Sequence, residues 1–120
     1  MPQWDLSIAY DGVEDARIET DLALVRAAAE QLGGMRGQEG DVTTLQHALE
    51  LVERARIIAQ TVAQYCRCVL SVDSSDSLAR KLSGRVDALL AELRIAYEPF
   101  HDQLLRMAED GLDQIGRAHV

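Results

Sequence analysis

Residues 43–70 read TTLQHALELVERARIIAQTVAQYCRCVL. Leu45, Ala48, Val52, Ala55, Ala59, Val62, Cys66 and Val69 recur in steps of three and four through nearly the whole stretch. That rhythm is one face of an α-helix. Leu49, Ile58 and Tyr65 widen the face. Half of the stripe is alanine or cysteine, so a neighbouring helix can approach closely along it. A helix of this length with so long an apolar face needs partners, and the stretch therefore predicts a helical bundle. Thr43 with Gln46 three residues later has the form of a capping box, and the predicted helix occupies 42–71.

Working outward, residues 13–33 carry Ile18, Leu22, Val25, Ala29 and Leu32 on a second helical stripe. Gly33, Gly34, Gly37 and Gly40 follow closely. They end that helix and make a turn, because a phosphate-binding loop needs a preceding strand and a following lysine, and neither is here. On the other side, SVDSSDS (71–77) offers Asp76 or Ser77 as the cap of a third helix over 76–98. Leu78, Leu82, Val86, Leu89, Leu93, Ala96 and Phe100 form its stripe. Pro99 lacks a backbone donor and clashes with the preceding turn, so the sequence predicts a break or kink near Tyr97. Leu104, Leu105, Met107, Leu112 and Ile115 then suggest a short helix and tail over 100–116. No stretch alternates as a strand does. The expected fold is all-α: one domain over 1–120, an antiparallel array of three long helices plus a short C-terminal helix, preceded by an extended arm over 1–12.

Composition agrees with this. The chain has 120 residues, 48% hydrophobic and 27% charged, with two prolines and one phenylalanine, which suits a single folded helical domain. Its net charge of −8 sits at the ends: Asp5, Asp11, Glu14, Asp15, Glu19 and Asp21 stand against Arg17 at the start, and acids again exceed arginines after residue 97. Acidic ends without an arginine and aromatic stripe exclude nucleic acid as the expected partner. No apolar run is long enough for a membrane span, and Asp5 interrupts the pattern of a signal peptide. The chain contains no asparagine and hence no N-glycosylation acceptor. The expected location is the cytoplasm, with no membrane partner.

Candidate chemistry is sparse. Cys66 and Cys68 stand two apart, which on a helix sends the thiols to nearly opposite faces, and Cys66 belongs to the core stripe. Glu98 and His101 form a single Glu-x-x-His, half of a helical di-iron motif, which requires a second copy and further carboxylates. His47 and Glu50, one turn apart, read as surface residues. No Ser-His-Asp arrangement and no His-Glu-x-x-His is present. No catalytic, metal or cofactor-binding residue is therefore expected in this chain. In WDLSIAYDG (4–12), Trp4 and Tyr10 place two aromatics on the arm, where they serve most simply as anchors against the helices.

The same nine residues resemble the WDLSDLY signature that opens members of the oligoendopeptidase F family of zinc metallopeptidases. Trp4, Asp5, Leu6, Ser7 and Tyr10 match, and Ile8 and Ala9 depart. DARIETDLALVRAAAEQL (15–32), ALELVERA (48–55) and QYCRCVLSVDSSDSLARKLSGRVDALLAEL (64–93) follow the family's order of elements: a tyrosine-containing helix end, Asp-Thr-x-Asp, then a leucine-rich helix. Here Asp73, Ser74, Ser75 and Asp76 fill the acidic motif, with serine replacing threonine, and the likeness extends over about residues 4–107. Family members are several times longer, and their zinc ligands and general base lie downstream of the matched region. The resemblance thus implies an isolated N-terminal helical lobe that walls a cleft for unfolded oligopeptides, holds no zinc and catalyses nothing itself. It also implies that Trp4 and Tyr10 contact a catalytic domain, or another copy of the chain through self-association. The alternative expectation is a free-standing helical module that binds a peptide or a partner helix.

Overall fold

The computed structural model of the protein describes residues 10–118, with the side chains of residues 10–112. The described residues form three α-helices: α1 (Ala16–Gly34), α2 (Val42–Val72) and α3 (Ser77–Ala118). Each helix packs against the other two. Trp4 and the first nine residues of the predicted arm lie outside the described residues, as does the side chain of Ile115.

Local chemistry sets each helix start. Asp15 is the N-cap of α1 and accepts from the Arg17 backbone N–H at 2.9 Å, so the helix begins at Ala16 rather than at the predicted residue 13. The Arg17 guanidinium, 2.7 Å from Oδ2, together with the backbone N–H groups of Asp11 and Arg17, holds the Asp15 carboxyl far below the usual carboxylate range. For α2 the cap is Asp41, which makes no side-chain bond to the helix backbone. The expected capping box fails because Thr43 already lies inside the first turn, and the Thr44 hydroxyl instead donates to Asp41 Oδ2 at 2.9 Å. Asp76 caps α3, accepting from the Ala79 N–H at 3.0 Å. Asp73, which closes α2, accepts from the Ser75 N–H and hydroxyl at 3.0 and 2.6 Å. The DSSD motif is therefore a two-sided cap that reverses the chain in four residues. The α1–α2 connection is looser, and Gly37 takes a φ of +97° that only glycine adopts without strain.

The largest correction concerns Pro99. No separate fourth helix is present among the described residues: α3 continues through Pro99 to Ala118. An interior proline costs about 3 kcal/mol. On either side of it Tyr97 is 8% exposed and Phe100 is fully buried, and burying a large aromatic returns about 1.5–3 kcal/mol each. The backbone bond that Pro99 removes belongs to the carbonyl of Ile95, whose residue lies on the exposed side of the helix.

The α2 stripe is buried from Leu45 to Cys66, with Val69 half-buried. Leu49 is exposed, whereas Tyr65 joins the core. In α1 the buried residue is Ala28 rather than Ala29, and in α3 Ala79 and Tyr97 take the inner positions next to Leu78 and Ala96. Arg85 reaches from α3 to Glu19 of α1 at 2.6 and 2.8 Å, an exposed pair worth at most about 1 kcal/mol. No charged or polar residue is buried among the described residues, and no buried side-chain N or O lacks a partner.

All three tyrosines are core residues, and burial raises each phenol above its ordinary value of 10.0. For Tyr10 the hydrogen bond to the Asp21 carboxylate adds to the rise. A phenol that stays neutral in the fold and ionises in the unfolded chain stabilises the fold fully below pH 10, and that stability falls as pH rises further. Tyrosinate absorbance is accordingly expected to appear only together with loss of helical circular dichroism. Three phenols titrating near pH 10 on an intact helical spectrum would contradict the packing.

Candidate binding cleft along α3

Tyr10 is 3% exposed. Its hydroxyl donates to Asp21 Oδ2 at 2.7 Å, its ring meets that of Tyr65 edge-on at 5.2 Å, and the Arg17 guanidinium stands 5.8 Å from the ring centre. Tyr10 thus spends its ring on this chain's own α1 and α2. Cys66 is fully buried, and burial pushes its thiol up, with Asp87 a smaller contribution; this is the reverse of a nucleophilic thiolate. Cys68 is half-buried, and both cysteines are free thiols. His47 and Glu50 are exposed on α2. Among the described residues no group of three His, Cys, Asp or Glu side chains is placed to hold a metal.

The features that remain gather where α3 crosses the other end of α2 and the α1–α2 connection. Glu98 and Asp102 lie one turn apart on α3 and form a ridge between two hollows. One hollow, of about 480 Å³, is bounded by Arg36, Glu39 and Gly40 of the α1–α2 connection and by Ile95, Pro99, Gln103 and Arg106 of α3. The other, of about 380 Å³, lies between α2 and α3 and is lined by Arg56, Arg94, Tyr97, Glu98, His101 and Asp102. A third, apolar groove of about 300 Å³ runs between α1 and α2 beside Leu24, Ala28, Leu51 and Ile58.

Glu98 and His101 do face a common space, as their spacing requires. Their companions there are Arg56, Arg94, Tyr97 and Asp102, where a di-iron site would need a second Glu-x-x-His and further carboxylates. The Tyr97 ring lies 6.1 Å from the His101 ring and stacks beside Phe100 at 6.4 Å. Burial lifts the Tyr97 phenol, Arg56 pulls it down less strongly and Glu53 raises it. Sequence reading missed Arg56 and Arg94 because each is an exposed cation on its own helix. The available signal was that the α2 and α3 stripes, paired antiparallel from the DSSD turn, bring those two positions to one groove.

Beyond Leu104, which still touches the core, α3 carries exposed apolar side chains on more than one side. Leu105 is 49%, Met107 41% and Leu112 68% exposed. At about 1.5 Å per residue the 42 residues of α3 span the molecule's longest dimension, 59 Å, whereas α2 has 31 residues. None of the described helices is long and apolar enough to cross a membrane. No family model, no curated protein and no solved structure matches this chain.

Proposed function

We propose that the chain is the N-terminal lobe of an oligopeptide-cleaving zinc metallopeptidase like those of the oligoendopeptidase F family, acting in the cytoplasm as scaffold and cleft wall. Zinc and its chemistry belong to a catalytic domain that docks on the free end of α3, and this chain contributes no reacting group. The observation that carries this reading is the apolar surface of α3 beyond Leu104, where Leu105, Met107 and Leu112 stay exposed among the described residues. Exposed apolar side chains on a helix that outruns its partner fit a further helical domain of the same polypeptide. The resemblance of WDLSIAYDG and of the DSSD turn supplies the identity of that domain.

Reading the coding frame past Val120 tests this. A downstream His-Glu-x-x-His is the expected result, and a stop codon would leave the free-standing interaction module in its place. At the bench, the chain with added zinc is expected to leave a quenched fluorescent oligopeptide uncut. Chelator-sensitive cleavage by the chain alone would overturn the assignment of the chemistry to another domain.

A further inference from the structure

Tyr10 stands at the head of the apolar groove between α1 and α2. On α1 its partners Arg17 and Asp21 begin a row that continues through Leu24, Ala28 and Gln31 in steps of three and four, which is one side of a helix. On α2 its ring meets Tyr65, and Ile58 and Leu51 precede that residue at intervals of seven, about two helical turns each. Rising numbers on α1 thus meet falling numbers on α2, and further along the same two rows enclose the hollow of about 300 Å³. Only α1 and α2 line it, with Ala27, Ala28 and Ala55 giving it depth. Leu24 is 53% exposed at its edge, and Leu51 and Ile58 are only partly buried.

The sequence before Tyr10 supplies a matching row. Trp4, Leu6, Ile8 and Tyr10 fall at every second position, with Asp5 and Ser7 between the first three; Ala9 keeps the row short of strict alternation. Extended backbone sends alternate side chains to one face, so the face that carries the Tyr10 ring also carries Ile8, Leu6 and Trp4. The lengths agree as well. Trp4 precedes Tyr10 by six residues, about 20 Å of extended chain at about 3.3 Å per residue. Along α2, Ile58 and Leu51 lie about 10 and 21 Å from Tyr65 at about 1.5 Å per residue. The hollow between them is therefore within reach of Trp4, and an apolar space of about 150 Å³ already accommodates a benzene ring.

We infer that the α1–α2 groove is the docking site of this chain's own residues 4–9, with the Trp4 indole in the hollow against Leu24, Ala28 and Ile58. The occupant is the arm of the same chain because Tyr10 fixes its start at the end of the groove, and the tether makes docking an intramolecular event. The inference goes beyond the lobe reading and does not rest on it. It turns Trp4 inward, away from the further domain that the resemblance implies as its partner. It also closes the α1–α2 face to a peptide or partner helix and leaves the free end of α3 as the apolar surface open to one.

Trp4 is the chain's only tryptophan, so the intrinsic fluorescence of the whole chain reads its surroundings directly. The expected result is a blue-shifted emission that acrylamide quenches several-fold less than N-acetyltryptophanamide and that does not change on dilution. Leu24→Glu puts a charge at the edge of the hollow, and it should move the emission to the red and raise quenching to that of the free compound while helical circular dichroism persists, since Leu24 is half exposed. Ala27→Glu, at another exposed position of the lining, is the second variant and should do the same if Leu24→Glu fails to fold. Leu112→Glu, on the free end of α3, should leave emission and quenching unchanged. Trp4→Ala is expected to lower the melting temperature by several degrees. Quenching like that of the free compound in the native chain, a blue shift that survives both groove variants, or an unchanged melt in Trp4→Ala would each overturn the inference. So would a blue shift lost on dilution, which would make a second copy the occupant. None of these outcomes bears on the coding-frame test, so failure of the groove assignment and failure of the lobe reading are read separately.

Discussion

Replacing Phe100 by alanine is expected to cost about 3–5 kcal/mol of folding free energy. Phe100 is the chain's only phenylalanine and heads its fully buried side chains, with the Tyr97 ring stacked beside it at 6.4 Å. It forms the last full core layer before α3 leaves the bundle, so removing the ring leaves a cavity that flanking helices, held by Leu93 above and Leu104 below, close only in part. A domain of this size has about 5–15 kcal/mol in total. The variant is therefore expected to unfold at a much lower urea midpoint with an unchanged slope, measured by circular dichroism. A loss under about 1 kcal/mol would mean that α3 is not docked beyond Leu93.

The opposite sign is expected at the neighbouring position. Pro99→Ala restores the backbone donor to the Ile95 carbonyl and removes the ring that crowds it, and should stabilise the fold by about 1–3 kcal/mol. The gain falls short of the whole interior-proline penalty if α3 has already relaxed around the ring. In a thermal melt it should appear as a rise of several degrees, about 3–6 °C per kcal/mol at this chain length. A fall in melting temperature would show that the half-buried Pro99 ring contributes packing at the α1–α2 connection that outweighs its backbone cost. With Phe100→Ala, the pair places a stabilising and a destabilising change on adjacent residues of one helix.

These two positions also mark where the fold was legible and where it was not. The α2 stripe could be read because its period is long and its inner residues are uniformly small or aliphatic, and Leu45 to Cys66 are buried in that register. The α3 stripe slips by one at each end. Reading by hydrophobicity prefers Leu78 to Ala79, whereas close approach to the end of α2 selects the small residue. Ala96 yields to Tyr97, whose ring is buried beside Phe100. The expected break at Pro99 weighed a local penalty of a few kcal/mol and left out the burial on both sides that offsets it. The paired hollows were not legible at all, because Arg56 and Arg94 acquire a common environment only when two helices align. Glu98 and His101 were visible as a pair, and their chemistry changed once the arginines stood beside them.

The two connections differ, and the difference sets an order of assembly. The DSSD turn reverses the chain in four residues with caps on both sides, so α2 and α3 close on each other over short sequence separations. The α1–α2 connection is longer and glycine-rich, and because α1 packs on both other helices its inner face is only partly covered until both exist. Of the three helices, α1 is synthesised first and is fully covered only when α3 is complete. At about 5–20 residues per second, Ile18, Leu22 and Val25 wait several seconds before α3 completes their cover. The acids of the first turns, Asp15, Glu19 and Asp21, keep that helix soluble over the interval, and Asp21 receives the Tyr10 hydroxyl when the bundle closes.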